Sequence, residues 1–99
     1  MAESGVIILL ANATATPAQW TKLGMGGVYT LSADGVFGGA TVGLQLKGPG
    51  AVVFNGPVET QFTNTGICTI DIGASQEVRM AVTGGTPSAL NAVLRLVHR

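Results

Sequence analysis

Acid–base, nucleophilic and metal chemistry in this chain would have to start from one histidine, one cysteine and five carboxylates. His98 lies one residue from the end, and nothing in the spacing sets a nucleophile and an acid beside it to complete a triad. Cys68 sits between Ile67 and Thr69 in an apolar stretch, without the neighbouring cation or helix start that activates a thiolate, so it reads as a buried, inert thiol. A glycosidase would need two of Glu3, Asp34, Glu59, Asp71 and Glu77 facing one cleft. Glu3 is terminal and Asp34 belongs to a turn dipeptide. Asp71 and Glu77 flank the turn over 73–76, which sets them across a hairpin, with Arg79 one strand period from Glu77 as a surface ion partner. Gly24-Met25-Gly26-Gly27 precedes a strand pattern rather than a helix, so it is not a phosphate cradle. No second His or Cys and no spaced acidic loop offers a metal site. Arg95, His98 and Arg99 form a small basic cluster, too sparse for a nucleic-acid surface. The sequence therefore assigns no catalytic, cofactor-binding or metal-ligating residue.

The elements that must position these groups are strands. Short runs rich in Val, Ile and Thr alternate with Gly, Pro, Asn and Asp, the punctuation of an all-β domain. Val6-Ile7-Ile8-Leu9-Leu10 is a first strand, and 20–23 is a short second one. A third spans 28–33 and ends at the Asp34-Gly35 turn, since both residues tolerate positive φ. Thr41–Lys47 has the clearest period of two, with Val42, Leu44 and Leu46 on one face. Gly48-Pro49-Gly50 ends it. Strands over 52–54 and 58–62 follow, separated by Asn55-Gly56-Pro57. The run 67–72 sets Cys68, Ile70 and Ile72 on one face and Ile67, Thr69 and Asp71 on the other. Glu77–Thr83 sets Val78, Met80 and Val82 inward, and 92–98 closes the domain. Single helical turns have room only over 16–20 and 88–92, because glycine elsewhere disfavours helix. These elements predict one domain over 1–99, a small antiparallel β-sandwich or jelly-roll-like barrel of about eight strands. Its core is Val42, Leu44, Leu46, Cys68, Ile70, Ile72, Val78, Met80 and Val82. Gly27-Val28-Tyr29-Thr30-Leu31 is also echoed by Gly66-Ile67-Cys68-Thr69-Ile70, which either two copies of a hairpin in one sandwich or the shared bias of composition would produce.

Composition narrows the function classes. The 99 residues are 46% hydrophobic and 10% charged, with five basic and five acidic side chains. A neutral balance argues against nucleic acid or an anionic membrane as partner. A lone cysteine excludes an internal disulfide framework. The apolar run over 6–11 is far short of the roughly 20 residues of a spanning helix, and no Lys or Arg precedes it as in a secretory signal. Asn12-Ala13-Thr14 fits a glycosylation sequon, but nothing else points to secretion, so an intracellular compartment is expected. A small monomer has much surface to cover, and so few charges imply that some of it is covered by other chains.

From Gly35 onward the chain resembles a family. Its pattern is a glycine-rich turn, the strand Gly38-Gly39-Ala40-Thr41-Val42-Gly43-Leu44-Gln45-Leu46, a Gly-Pro loop, the run Glu77-Val78-Arg79-Met80-Ala81-Val82-Thr83-Gly84-Gly85-Thr86-Pro87-Ser88-Ala89-Leu90, and a last strand. This resembles short structural proteins of tailed-bacteriophage virions, a capsid decoration (cement)-like β-domain family, over about two-thirds of the chain. Val52-Val53-Phe54 stands where the family often has a Trp-containing strand. The resemblance implies a non-enzymatic virion protein without cofactors. It would be made in the host bacterial cytoplasm, bind the major capsid protein on the capsid surface and stabilise the lattice. The threefold sites of such a lattice favour a homotrimer. The alternative is a tail or fibre β-module with a receptor- or glycan-binding role, for which Trp20 and Tyr29 are the available Trp and Tyr. The apolar start Val6-Ile7-Ile8-Leu9-Leu10 and the basic end from Arg95 to Arg99 are the candidate lattice contacts.

Overall fold

The structure is a computed structural model that describes residues 6–98. Nine strands form among the described residues: β1 (Val6–Ala13), β2 (Thr21–Lys22), β3 (Gly27–Val36), β4 (Thr41–Lys47), β5 (Val53–Asn55), β6 (Gln61–Phe62), β7 (Gly66–Ile72), β8 (Glu77–Thr83) and β9 (Ser88–His98). They build two antiparallel sheets. Sheet A runs β1-β9-β3-β7, and sheet B runs β2-β8-β4-β5 with β6 also against β4. First strand pairs with last, β2 with β8, β3 with β7, and β4 with β5 and β6. A long antiparallel ribbon rolled up on itself gives this order, so the sandwich is a jelly roll.

The echoed segments become β3 and β7, but neither opens the hairpin expected from the echo, since each is followed by a strand of the other sheet. β3 and β7 pair with Thr30 opposite Thr69, and β4 and β8 pair with Leu44 opposite Met80. Each of β3 and β7 passes through a short loop into the other sheet, so two similar strand–loop–strand arches lie antiparallel to one another.

All nine expected core residues face the space between the sheets. Val42, Leu44, Ile72, Val78 and Met80 are buried, and Leu46, Cys68, Ile70 and Val82 pack against them. Sheet A adds Leu10, Tyr29, Leu31, Ala92 and Leu94, while Leu23, Phe37 and Phe62 close the ends. The Tyr29 hydroxyl donates to the Met25 carbonyl at 2.5 Å, which satisfies its polar tip at the margin of the core.

Several local expectations are corrected. Asp34-Gly35 is not a turn. β3 runs on to Val36, and its pairing with β9 slips between Asp34 and Val36, a bulge. Gly35 has φ 124°, and a Cβ there would collide with the Ala89 carbonyl oxygen, so the two backbones close up only at glycine. The reversal falls at Gly38 and Gly39, where Ala40 N–H donates to the Phe37 carbonyl at 2.9 Å. The segment 88–92 is strand rather than a helical turn, because the lengthened β3 offers it partners as far as Ser88. The segment 16–20 is not helical either. The Thr16 hydroxyl accepts from Val82 N–H at 2.8 Å, which ties this crossing to β8. The expected strand over 58–62 divides into a 3-10 turn, Val58–Thr60, and β6. Each of the nine strands falls on a segment with strand pattern in the sequence, one more than the expected total of about eight.

Candidate functional site

The groups singled out for chemistry are not brought together. Glu3 and Arg99 lie outside the described residues, as does the side chain of His98, whose backbone ends β9 opposite Val28. Cys68 is a free, half-buried thiol on the inner side of β7. Burial, and then the negative charge of Glu59, hold its pKa above the ordinary thiol value, the opposite of what a nucleophile needs. The hairpin expected between Asp71 and Glu77 does not exist. β7 belongs to sheet A and β8 to sheet B, so the loop between them crosses the sandwich and separates the two carboxylates. Asp34 instead accepts from the Asn91 amide at 3.0 Å.

Glu77 also takes a different cation. Register sets it opposite Lys47, whose Nζ lies 3.3 Å from Glu77 Oε1. Both side chains are partly exposed, so this pair contributes about 0–1 kcal/mol. Arg79 is engaged elsewhere: its Nε donates to Gln45 Oε1 at 3.0 Å and its guanidinium lies 4.4 Å from the Trp20 ring centre. Lys47 stands 5.3 Å from the same ring. The outer side of sheet B is thus a polar lattice around a half-buried tryptophan, with cross-strand contacts that satisfy one another. Among the described residues, no group of three or more His, Cys, Asp or Glu is arranged to hold a metal, and no buried side-chain nitrogen or oxygen lacks a hydrogen-bond partner.

The outer side of sheet A is different. Register aligns Ile8, Val93, Ser32 and Ile67 in one row across all four strands. Ile8 is 64% and Ile67 69% exposed, so this row opens to solvent. The next row is Val6, Arg95, Thr30 and Thr69. Small Thr30 and Ser32 on the central strand leave a shallow trough of about 460 Å³, walled by Ile67 on one side and Val93 and Arg95 on the other. Its make-up is two branched aliphatics, two hydroxyls and one cation, which suits recognition of a protein surface and holds no acid–base pair. A second apolar patch gathers Val52, Val53, Phe54 and Val58 at the β5 edge of sheet B.

The candidate contact segments divide by the strand period. Val6 and Ile8 project outward beside Arg95, whereas Leu9 and Leu10 enter the core. The outward position of Ile67 followed from alternation. The trough did not, because its walls come from β7 and β9 and its floor from β3, a juxtaposition made by pairing strands far apart in the chain, as Ser32 with Ile67 and with Val93. No protein-family model matches the chain, and no curated protein matches it.

Proposed function

We propose that this protein is a non-enzymatic structural module of a bacteriophage virion, a decoration protein that docks on the outer capsid lattice through the exposed face of sheet A. The observation that carries the reading is the row Ile8, Val93, Ser32 and Ile67, three aliphatics and one hydroxyl with both isoleucines exposed, on a face with few charges. Large aliphatics in contiguous exposed rows mark surfaces used for contact. The resemblance of the sequence to phage structural proteins supplies the partner, the major capsid protein, and the jelly roll is an architecture used in viral capsid domains, a fold-level analogy.

The physical task fits such a module. Packaged nucleic acid repels itself and pushes outward on a thin shell. A rigid domain that binds the expanded lattice and not the unexpanded one stabilises it by mass action, without a catalytic group. The tail-module alternative asks for an open aromatic platform. Trp20 is half-buried with Arg79 and Lys47 set against its ring, and Tyr29 is buried, so neither is presented in that way.

The test is particle composition and robustness with the gene deleted. Decorated capsids should contain the protein, and capsids lacking it should lose resistance to heat and osmotic shock. Purified protein should rebind them, and Ile8→Lys should abolish rebinding while leaving the circular dichroism spectrum unchanged. Capsids that never contained the protein, or whose robustness is indifferent to it, overturn the reading in favour of the tail module.

A further inference from the structure

The sandwich presents four sheet edges among the described residues, and they differ in one respect. A strand edge is a row of unpaired N–H and C=O groups, which proteins ordinarily shield with bulges, shortness, proline or charge. β1 has two register irregularities, and Asn12 within it has φ 52°. β2 has only two residues. On the far side of sheet B, β5 and β6 have three and two residues, and Pro49 and Pro57 flank β5. β7 has the least of this shielding. It is seven residues long, pairs with β3 without a register shift from Gly66 to Ile72, and contains no proline or lysine. Its only charge is Asp71, next to its end. Half of its backbone groups face away from β3, and among the described residues β3 is the only strand paired with it.

We propose that β7 pairs antiparallel with β7 of a second copy of this chain, centred on Thr69, joining two sheets A into one sheet of twice the width. Two observations select this occupant. First, β7 already pairs with a strand of its own kind. β3 carries the echoed sequence, and the register sets Thr30 on Thr69, Leu31 on Cys68 and Tyr29 on Ile70. A second β7 would offer the free edge the same pattern: threonine on threonine outside, and Cys68 on Ile70 inside. Second, the charges allow it in one direction. Centred on Thr69, each Asp71 stands opposite Ile67 of the other copy, four residues from the second Asp71. That is about 13 Å along the ladder, beyond the screening length of about 8 Å at physiological salt. Parallel in-register pairing would instead set the two carboxylates about 4.8 Å apart.

The contact is two-fold, not the three-fold arrangement expected from lattice symmetry. A cyclic trimer built on β7 would need a different edge to receive it, and the other three are short, bulged or flanked by proline. The inference does not rest on the capsid reading, because the outer row of sheet A stays open in the joined sheet.

The experiment is sedimentation of the full chain from about 10 μM to about 1 mM, a range suited to a contact at the small end of interface sizes. The wild type should pass from one-chain to two-chain mass. Thr69 is exposed, so Thr69→Lys and Thr69→Glu should fold, yet each sets like charges face to face and should remain monomeric. An equimolar mixture of the two should recover the two-chain mass. Independently, Thr69→Cys in a Cys68→Ser background should oxidise to a covalent dimer, because directly opposed residues about 4.5–5.5 Å apart lie within disulfide reach. Val36→Cys, exposed and away from β7, should not. A wild type that stays monomeric, a Thr69→Lys variant that dimerises as well as the wild type, or a Thr69→Cys cross-link no stronger than the Val36→Cys control would each overturn the proposal.

Discussion

Leu44→Ala tests the register on which both faces of the sandwich depend. Leu44 is fully buried at the centre of β4, opposite Met80. The change removes three carbons, worth about 2.5 kcal/mol at roughly 0.8 kcal/mol each. The backbone there has little freedom to close the gap, because the Leu44 carbonyl accepts from Gly56 N–H at 2.8 Å and β4 has paired neighbours on both sides. A residual void of about 50 Å³ then adds roughly 1 kcal/mol, for a loss near 3.5 kcal/mol. For a domain of this length, whose whole stability is on the order of 5–15 kcal/mol, that lowers the melting temperature by about 15–25 °C. Urea unfolding followed by Trp20 fluorescence and far-UV circular dichroism measures it. Ile67→Ala is the paired control: the same chemistry on an outward position 69% exposed should stay within about 0.5 kcal/mol. A Leu44→Ala loss below about 1 kcal/mol together with an Ile67→Ala loss above about 2 kcal/mol would mean that the faces are exchanged and would refute the reasoning.

Gly35→Ala should cost about 1–3 kcal/mol in the same urea assay, since its φ of 124° and the Ala89 carbonyl oxygen in the path of a Cβ leave no room for a methyl group. Gly24→Ala, with nothing within 4 Å of the new carbon, should be close to neutral, and equal effects at the two sites would remove the bulge from the account. Stability should fall on the alkaline side. Burial raises the pKa of Cys68 above 9.0 and that of Tyr29 above 10.0, so their contribution is complete below those values. As pH climbs past them the unfolded chain releases its protons first, and the contribution is lost through the folded values. Cys68→Ser should flatten the first part of that decline, and an unchanged slope would show that the thiol takes no part.

Much of the fold was legible from alternation. Val42, Leu44 and Leu46, and Val78, Met80 and Val82, recur every second residue between turn signals, and the structure sets both sets inward with the predicted strand bounds intact. The least legible parts were those in which a local signal met a distant partner. Asp34-Gly35 has turn chemistry, yet the carbonyl of Ala89 made it a bulge. Ser88 to Ala92 had room for a helical turn, yet an open edge of β3 drew it into strand.

By itself, the sequence determined which residues of the clearest strands point inward, most of the breaks between strands, and that the molecule has few charges. Those follow from period-two patterning and turn propensity, which act between near neighbours. Which strands lie side by side was decided only by the tertiary structure. Asp71 and Glu77, six positions apart, went to different sheets, while Lys47 and Glu77 met across thirty. Ile8, Val93, Ser32 and Ile67 became one row only when the ribbon rolled up. The reason is physical: a strand's side-chain period is set by its own backbone, whereas its neighbour is chosen by burying inner faces and pairing backbone groups over the whole chain at once.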